Sequence, residues 1–205
     1  MMHGRLKAAV LVLVMMSGTA FAGVEDWQNS YRLEREGKYA DALGAIAPVP
    51  ANGPDAELKT LRRGWLYYLT GSYNESIREY RYAVERNPHS IDALLGETLP
   101  LLAQKRWRAA EQVSKDALAI SPNHYTALLR LSQALEGERN WPGMEQAASS
   151  LANHYPSDAT AFLYLARAHA WQGHNAEAAA AYRAVLVRYP DQAEAASFLS
   201  GMNGK

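Results

Sequence analysis

The stretch ELKTLRRGWLYYLTGSYNESIREYRYAVERNPHS, residues 57–90, decides the fold. Leu58, Leu61, Trp65 and Tyr68, with Leu69 beside them, recur at steps of three and four, which lines up side chains along one face of a helix. Thr70-Gly71-Ser72 interrupts that rhythm, Ile77, Tyr80 and Val84 resume it, and Asn87-Pro88 stops it. Proline ends a helix because it lacks the N–H that the ladder needs and its ring clashes with the preceding turn. The segment reads as two antiparallel helices joined by a tight turn.

Outward from this stretch the same punctuation returns. Pro54, Pro88, Pro122, Pro156 and Pro190 stand 34 residues apart and take five of the nine prolines. Aromatics keep the same period at Tyr39, Tyr73, Trp107 and Trp141, with Asn175 as the exception. Small residues keep it at Ser30, Gly64, Thr98, Ser132 and Ala166, and again at Ala42, Ser76, Ala110 and Ala178, where Met144 breaks the series. The units are therefore 23–56, 57–90, 91–124, 125–158 and 159–192. Small residues let helices approach closely, and aromatics fill the wedge between units. Residues 193–200 read as a closing helix over the last unit's apolar face, followed by a loose tail to 205.

The first unit begins where a leader ends. Arg5 and Lys7 precede nine apolar residues, Ala8 to Met16, and Ala20-Phe21-Ala22 is a small-x-small cleavage signature. Nine residues are too few for a bilayer, which takes about 20. Residues 1–22 are thus expected to be a cleaved signal peptide, and the mature chain periplasmic or secreted. Peripheral membrane association would come only through a partner.

At 48% hydrophobic and 20% charged residues, the 205-residue chain has the composition of a folded soluble protein. Basic and acidic residues both number 21, so no charge-driven attraction to nucleic acid or anionic lipid is expected. Cysteine is absent, which excludes disulfides, thiol nucleophiles, cysteine-ligated metals and lipid attachment through cysteine.

Unit two resembles the tetratricopeptide repeat at Gly64, Tyr67, Gly71, Tyr73, Ser76, Tyr80, Ala83 and Pro88, and unit five meets the family's slots at Leu165, Ala166, Gly173, Ala178, Tyr182 and Pro190. Lys105 and Arg139 depart from it by replacing the turn glycine, and Pro48 and Pro50 shorten the second helix of unit one. The resemblance covers residues 23–192. It implies an all-α, right-handed α-α superhelix of five helix-turn-helix repeats with a C-terminal capping helix.

By that resemblance the first helix of each pair lines a concave groove. Its expected lining is Trp27, Gln28, Tyr31, Glu34 and Arg35 from unit one; Leu61, Arg62, Trp65, Tyr68 and Leu69 from unit two; and Asp92, Leu95, Leu99 and Leu102 from unit three. Units four and five add Leu129, Arg130, Gln133, Glu136, Leu163, Tyr164, Arg167 and Trp171. So much exposed apolar surface implies a cover, and Trp, Tyr and Arg are enriched at binding hot spots. A peptide or helix of another exported or outer-membrane protein is expected there, held by a scaffold or adaptor. The alternatives are packing of Leu61, Trp65, Leu95 and Leu99 between units, and self-assembly into a homo-oligomer.

The slots that grip a C-terminal carboxylate in some members of the family hold Trp27, Tyr31, Arg62, Asp92 and Gly96, and only Arg62 offers a suitable donor, so chaperone-tail recognition of that kind is disfavoured. Pro100, inside the first helix of unit three, is expected to kink it and free the Gly96 carbonyl toward the groove.

Neither catalysis nor a metal or cofactor is expected. His169 and His174 are five apart and do not share a helical face, and no HExxH, phosphate loop or GxSxG elbow occurs. Arg78, Arg81 and Arg86 interleave with Tyr80 and Tyr82, which reads as a solvated helix face and not as a nucleic-acid surface.

Overall fold

A computed structural model describes residues 19–203, with side chains over 23–202. Among the described residues every regular element is a helix: α1 Thr19–Arg35, α2 Tyr39–Ala45, α3 Ala56–Leu69, α4 Tyr73–Arg86, α5 Ile91–Ala103, α6 Trp107–Ile120, α7 Tyr125–Glu138, α8 Trp141–His154, α9 Ala159–Trp171, α10 Asn175–Arg188 and α11 Ala193–Asn203. The expected leader lies largely outside the described residues, and α1 runs through the expected cleavage point. Of the tail expected to be loose, 201–203 continue α11, and Gly204 and Lys205 lie outside the described residues.

The described residues form two compact units, divided after Pro50. In the first, α1 packs on α2, and Ser30 donates its hydroxyl to the Ala42 carbonyl at 2.9 Å. Helix α2 stops at Ala45, ahead of Pro48 and Pro50.

In the second unit α3 pairs with α4, α5 with α6, α7 with α8 and α9 with α10, and α11 closes on α10. First helices also pack on one another, α3 on α5, α5 on α7 and α7 on α9, whereas successive second helices make no comparable contact among the described residues. The layer of first helices is therefore the tighter one. A stack whose inner layer is closer curves with that layer on the concave side, so the arrangement is an α-solenoid.

Local chemistry sets the turns. Residues 37, 71, 105, 139 and 173 all take positive φ, between 56° and 78°. At each the next N–H reaches back over the helix end, as from Arg106 to the Leu101 carbonyl and from His174 to the His169 carbonyl, both at 2.9 Å. This is the Schellman termination, which glycine enters without steric penalty. Lys105 and Arg139 enter it as non-glycine residues.

The small-residue comb is a packing device. A Cβ on Gly64 would stand 2.9 Å from the Tyr80 ring, and one on Gly137 would overlap the Trp107 indole. Buried hydroxyls in the same layers are satisfied by backbone carbonyls, either across the pair, as from Ser76 to Gly64 at 2.7 Å, or within one helix, as from Ser132 to Leu128 at 2.9 Å.

Pro100 does not present an open carbonyl. It lies buried inside α5, and Gly96, also buried, has its Cα face closed by the Tyr80 ring from α4. The missing side chain at Gly96 serves helix packing and not access.

Candidate functional site

The concave side of the second unit is built from α3, α5, α7 and α9, and the helical rhythm of each places its three-and-four spaced residues inward. On α3, Trp65 stacks on Tyr68 with ring centroids 5.6 Å apart, and Tyr68 meets Tyr73 at 5.8 Å. The three rings thus form one run of mutually packed aromatic surface. Leu61, Leu69 and Leu99 stay half-buried.

Arg130 of α7 and Tyr164 of α9 belong to the C-terminal half of this side. The Arg130 guanidinium donates to the Gln133 side-chain oxygen at 2.9 Å, while its Nε is enclosed without an acceptor. Burial pushes the Arg130 pKa down, against a weaker opposing influence from the Tyr68 and Tyr164 rings. No carboxylate pairs with it among the described residues. Tyr164, only 8% exposed, has its phenol pushed up by burial.

Several of the expected groove residues have other work. Leu95 packs on Leu94, Ala117 and Ala127, and Leu102 on Ile77, Leu101, Ala110 and Ala134, so both belong to the core between pairs. Arg62 is buried, 5% exposed, and does not offer its guanidinium to a bound carboxylate. Arg167 is committed within the chain: it donates to Glu194 of the closing helix at 2.6 Å and to Glu136 at 3.2 Å. Tyr182 completes that cluster by donating to Glu194 at 2.8 Å. Trp171 is 66% exposed and lies flat on Trp141, centroids 5.2 Å apart and planes 7° from parallel. Trp27 and Tyr31 lie on α1 in the first unit, Tyr31 being exposed.

One cluster went unread in the sequence. Glu145 of α8, His169 of α9 and His174 at the start of α10 bring one potential metal-ligand atom each to within 4.8 Å of one another. The histidines stand five positions apart in sequence, but the left-handed Gly173 between them turns the chain back on itself. The usable signal was that turn glycine, read together with the two flanking imidazoles. On the outer layer, Arg81 pairs with buried Glu97 at 2.7 Å and Arg86 donates to the Tyr82 hydroxyl at 3.1 Å.

The tetratricopeptide repeat family matches the sequence at residues 30–96 and again at residues 160–191. Both stretches therefore carry tetratricopeptide repeats. No curated protein matches the sequence. Among solved structures it is similar to MamA, residues 41 to the end, from Desulfovibrio magneticus RS-1, at 17% identity over 84% of this chain and 97% of that one, with a TM-score of 0.74. It is also similar to a thermophilic tetratricopeptide repeat protein of Thermus thermophilus, at 16% identity over 88% of this chain and 98% of that one, with a TM-score of 0.63. These two likenesses are of fold. Tetratricopeptide repeats are protein-interaction scaffolds, and no helix among the described residues is long and apolar enough to cross a membrane.

Proposed function

We propose that this protein is an exported adaptor of the cell envelope that holds a segment of another exported or outer-membrane protein against its concave side. The observation that carries the reading is Arg130, a desolvated guanidinium between Tyr68 and Tyr164 with no carboxylate of its own. A half-buried cation without a counter-charge costs free energy, and an acidic group from a partner would recover it as a charge-assisted hydrogen bond. Trp65 and Tyr68 supply the adjoining apolar surface, the kind of anchor that dominates binding energy. The preferred segment therefore carries an Asp, a Glu or a terminal carboxylate next to apolar side chains. The basic, apolar and small-residue order of the first 22 residues supports export.

Cross-linking and capture from the envelope fraction test this reading. The wild-type chain should retain a discrete partner that Trp65→Ala with Tyr68→Ala loses and that Arg130→Met weakens about tenfold, one charge-assisted hydrogen bond being worth about 1.5–3 kcal/mol. Equal capture by all three proteins overturns the groove reading. Recovery of the protein in the cytoplasm with residues 1–22 intact overturns export.

A further inference from the structure

We propose that Glu145, His169 and His174 form a binding site for one divalent transition-metal ion of the zinc class, independent of the concave side. The ligands come from three consecutive helices, with His169 in the last turn of α9 and His174 just before α10. Their rings stand 6.0 Å apart, and the three potential ligand atoms all lie within 4.8 Å. Two ligands about 2.1 Å from a tetrahedral ion are about 3.4 Å apart, so the set closes by a rotation of the exposed His174 side chain that brings its nitrogen up to about 1.4 Å nearer.

The present contacts leave this site unsatisfied. Nδ1 of His169 is enclosed without a hydrogen bond, and its nearest acidic atom, Oε2 of Glu145, is 3.6 Å away, too far to accept one. A buried polar nitrogen without a partner is costly and calls for an explanation. A cation seated between the imidazole and the carboxylate would satisfy both. The carboxylate is already oriented, because the Gln172 amide donates to Oε2 at 2.6 Å and is itself tied to the Ala168 carbonyl at 3.1 Å. Outer-shell hydrogen bonds of this type orient metal ligands.

Donor chemistry selects the ion. Two imidazoles and one carboxylate suit zinc and its neighbours and fit calcium or magnesium poorly, since those prefer all-oxygen sets. Three protein ligands leave the remaining positions to water, and His174, on the surface, provides the way in.

The test is calorimetric titration of the untagged, chelator-stripped full chain with ZnCl2. One equivalent should bind saturably. His174→Ala and Glu145→Gln should each raise Kd at least tenfold, while His154→Ala, an exposed histidine elsewhere, should bind as wild type. Because His174 lies exposed in a turn, its variant keeps the fold and decides the matter even where His169→Ala does not fold. Thermal denaturation gives a second readout: Zn2+ should raise Tm in wild type and not in His174→Ala. No saturable binding up to millimolar Zn2+, or saturable binding that His174→Ala leaves unchanged, overturns the proposal.

Discussion

The Tyr80 ring of α4 lies so close over Gly96 of α5 that a single added methyl group at Gly96 would overlap it. The same ring also faces Gly64 of α3, so one side chain spaces three helices. Gly96→Ala is therefore expected to destabilise the second unit by about 1–3 kcal/mol through overpacking, despite alanine's better helix propensity. Urea denaturation checks it, and an unchanged midpoint would show that the layer yields at little cost.

Pro100 interrupts the hydrogen-bond ladder of α5 at a buried position. Pro100→Ala restores the donor and should stabilise the fold, by up to about 3 kcal/mol less whatever packing the ring contributes. Since Gly96 is covered by Tyr80, partner capture should stay unchanged, and a loss of capture would return the carbonyl of Gly96 to the binding face.

Lys105 and Arg139 hold left-handed backbone at φ 56° and 58°, where the sister turns use glycine. Lys105→Gly and Arg139→Gly should each stabilise by on the order of 1 kcal/mol, since the Cβ strain outweighs the extra chain entropy of glycine. Thermal denaturation of each single variant checks it, and an unchanged Tm would show that the turn carries no strain.

Hydrogen bonding from Arg167 holds the Glu194 carboxyl below the usual carboxylate range. A carboxyl depressed in the folded state contributes stability that is complete above its unfolded pKa, about 4.3, and that is lost as pH falls through the folded value. The protection factors of the α11 amides, which divide out the intrinsic slowing of exchange in acid, should therefore fall as the pH drops below that point. Glu194→Gln should remove this dependence and cost about 1–3 kcal/mol at neutral pH.

Arg130 carries the opposite sign. Replacing a half-buried guanidinium that has no carboxylate partner by an apolar side chain of similar length removes part of a desolvation cost, so Arg130→Met should raise stability by up to about 1 kcal/mol while it weakens partner capture. A variant that is both less stable and unaffected in capture would assign the arginine to packing alone.

Much of the architecture was legible in residues 57–90 because it is local chemistry. Steps of three and four write the helices, proline ends each second helix, and the residue at the turn, five times over, ends each first helix in the same left-handed conformation. The site was legible only in outline. Periodicity placed Trp65, Tyr68 and Arg130 on first helices, but which of the lining side chains are already engaged was invisible. Arg167 is occupied by Glu194, 27 residues further on, and Leu95 and Leu102 are taken up by the core.

Period and punctuation alone determined that this chain is a run of helix pairs, since both act within a few residues of backbone. Tertiary structure decided which polar groups are left over. Arg130 without a carboxylate and the meeting of Glu145 with His169 and His174 both depend on distances between helices, which no spacing along the chain encodes.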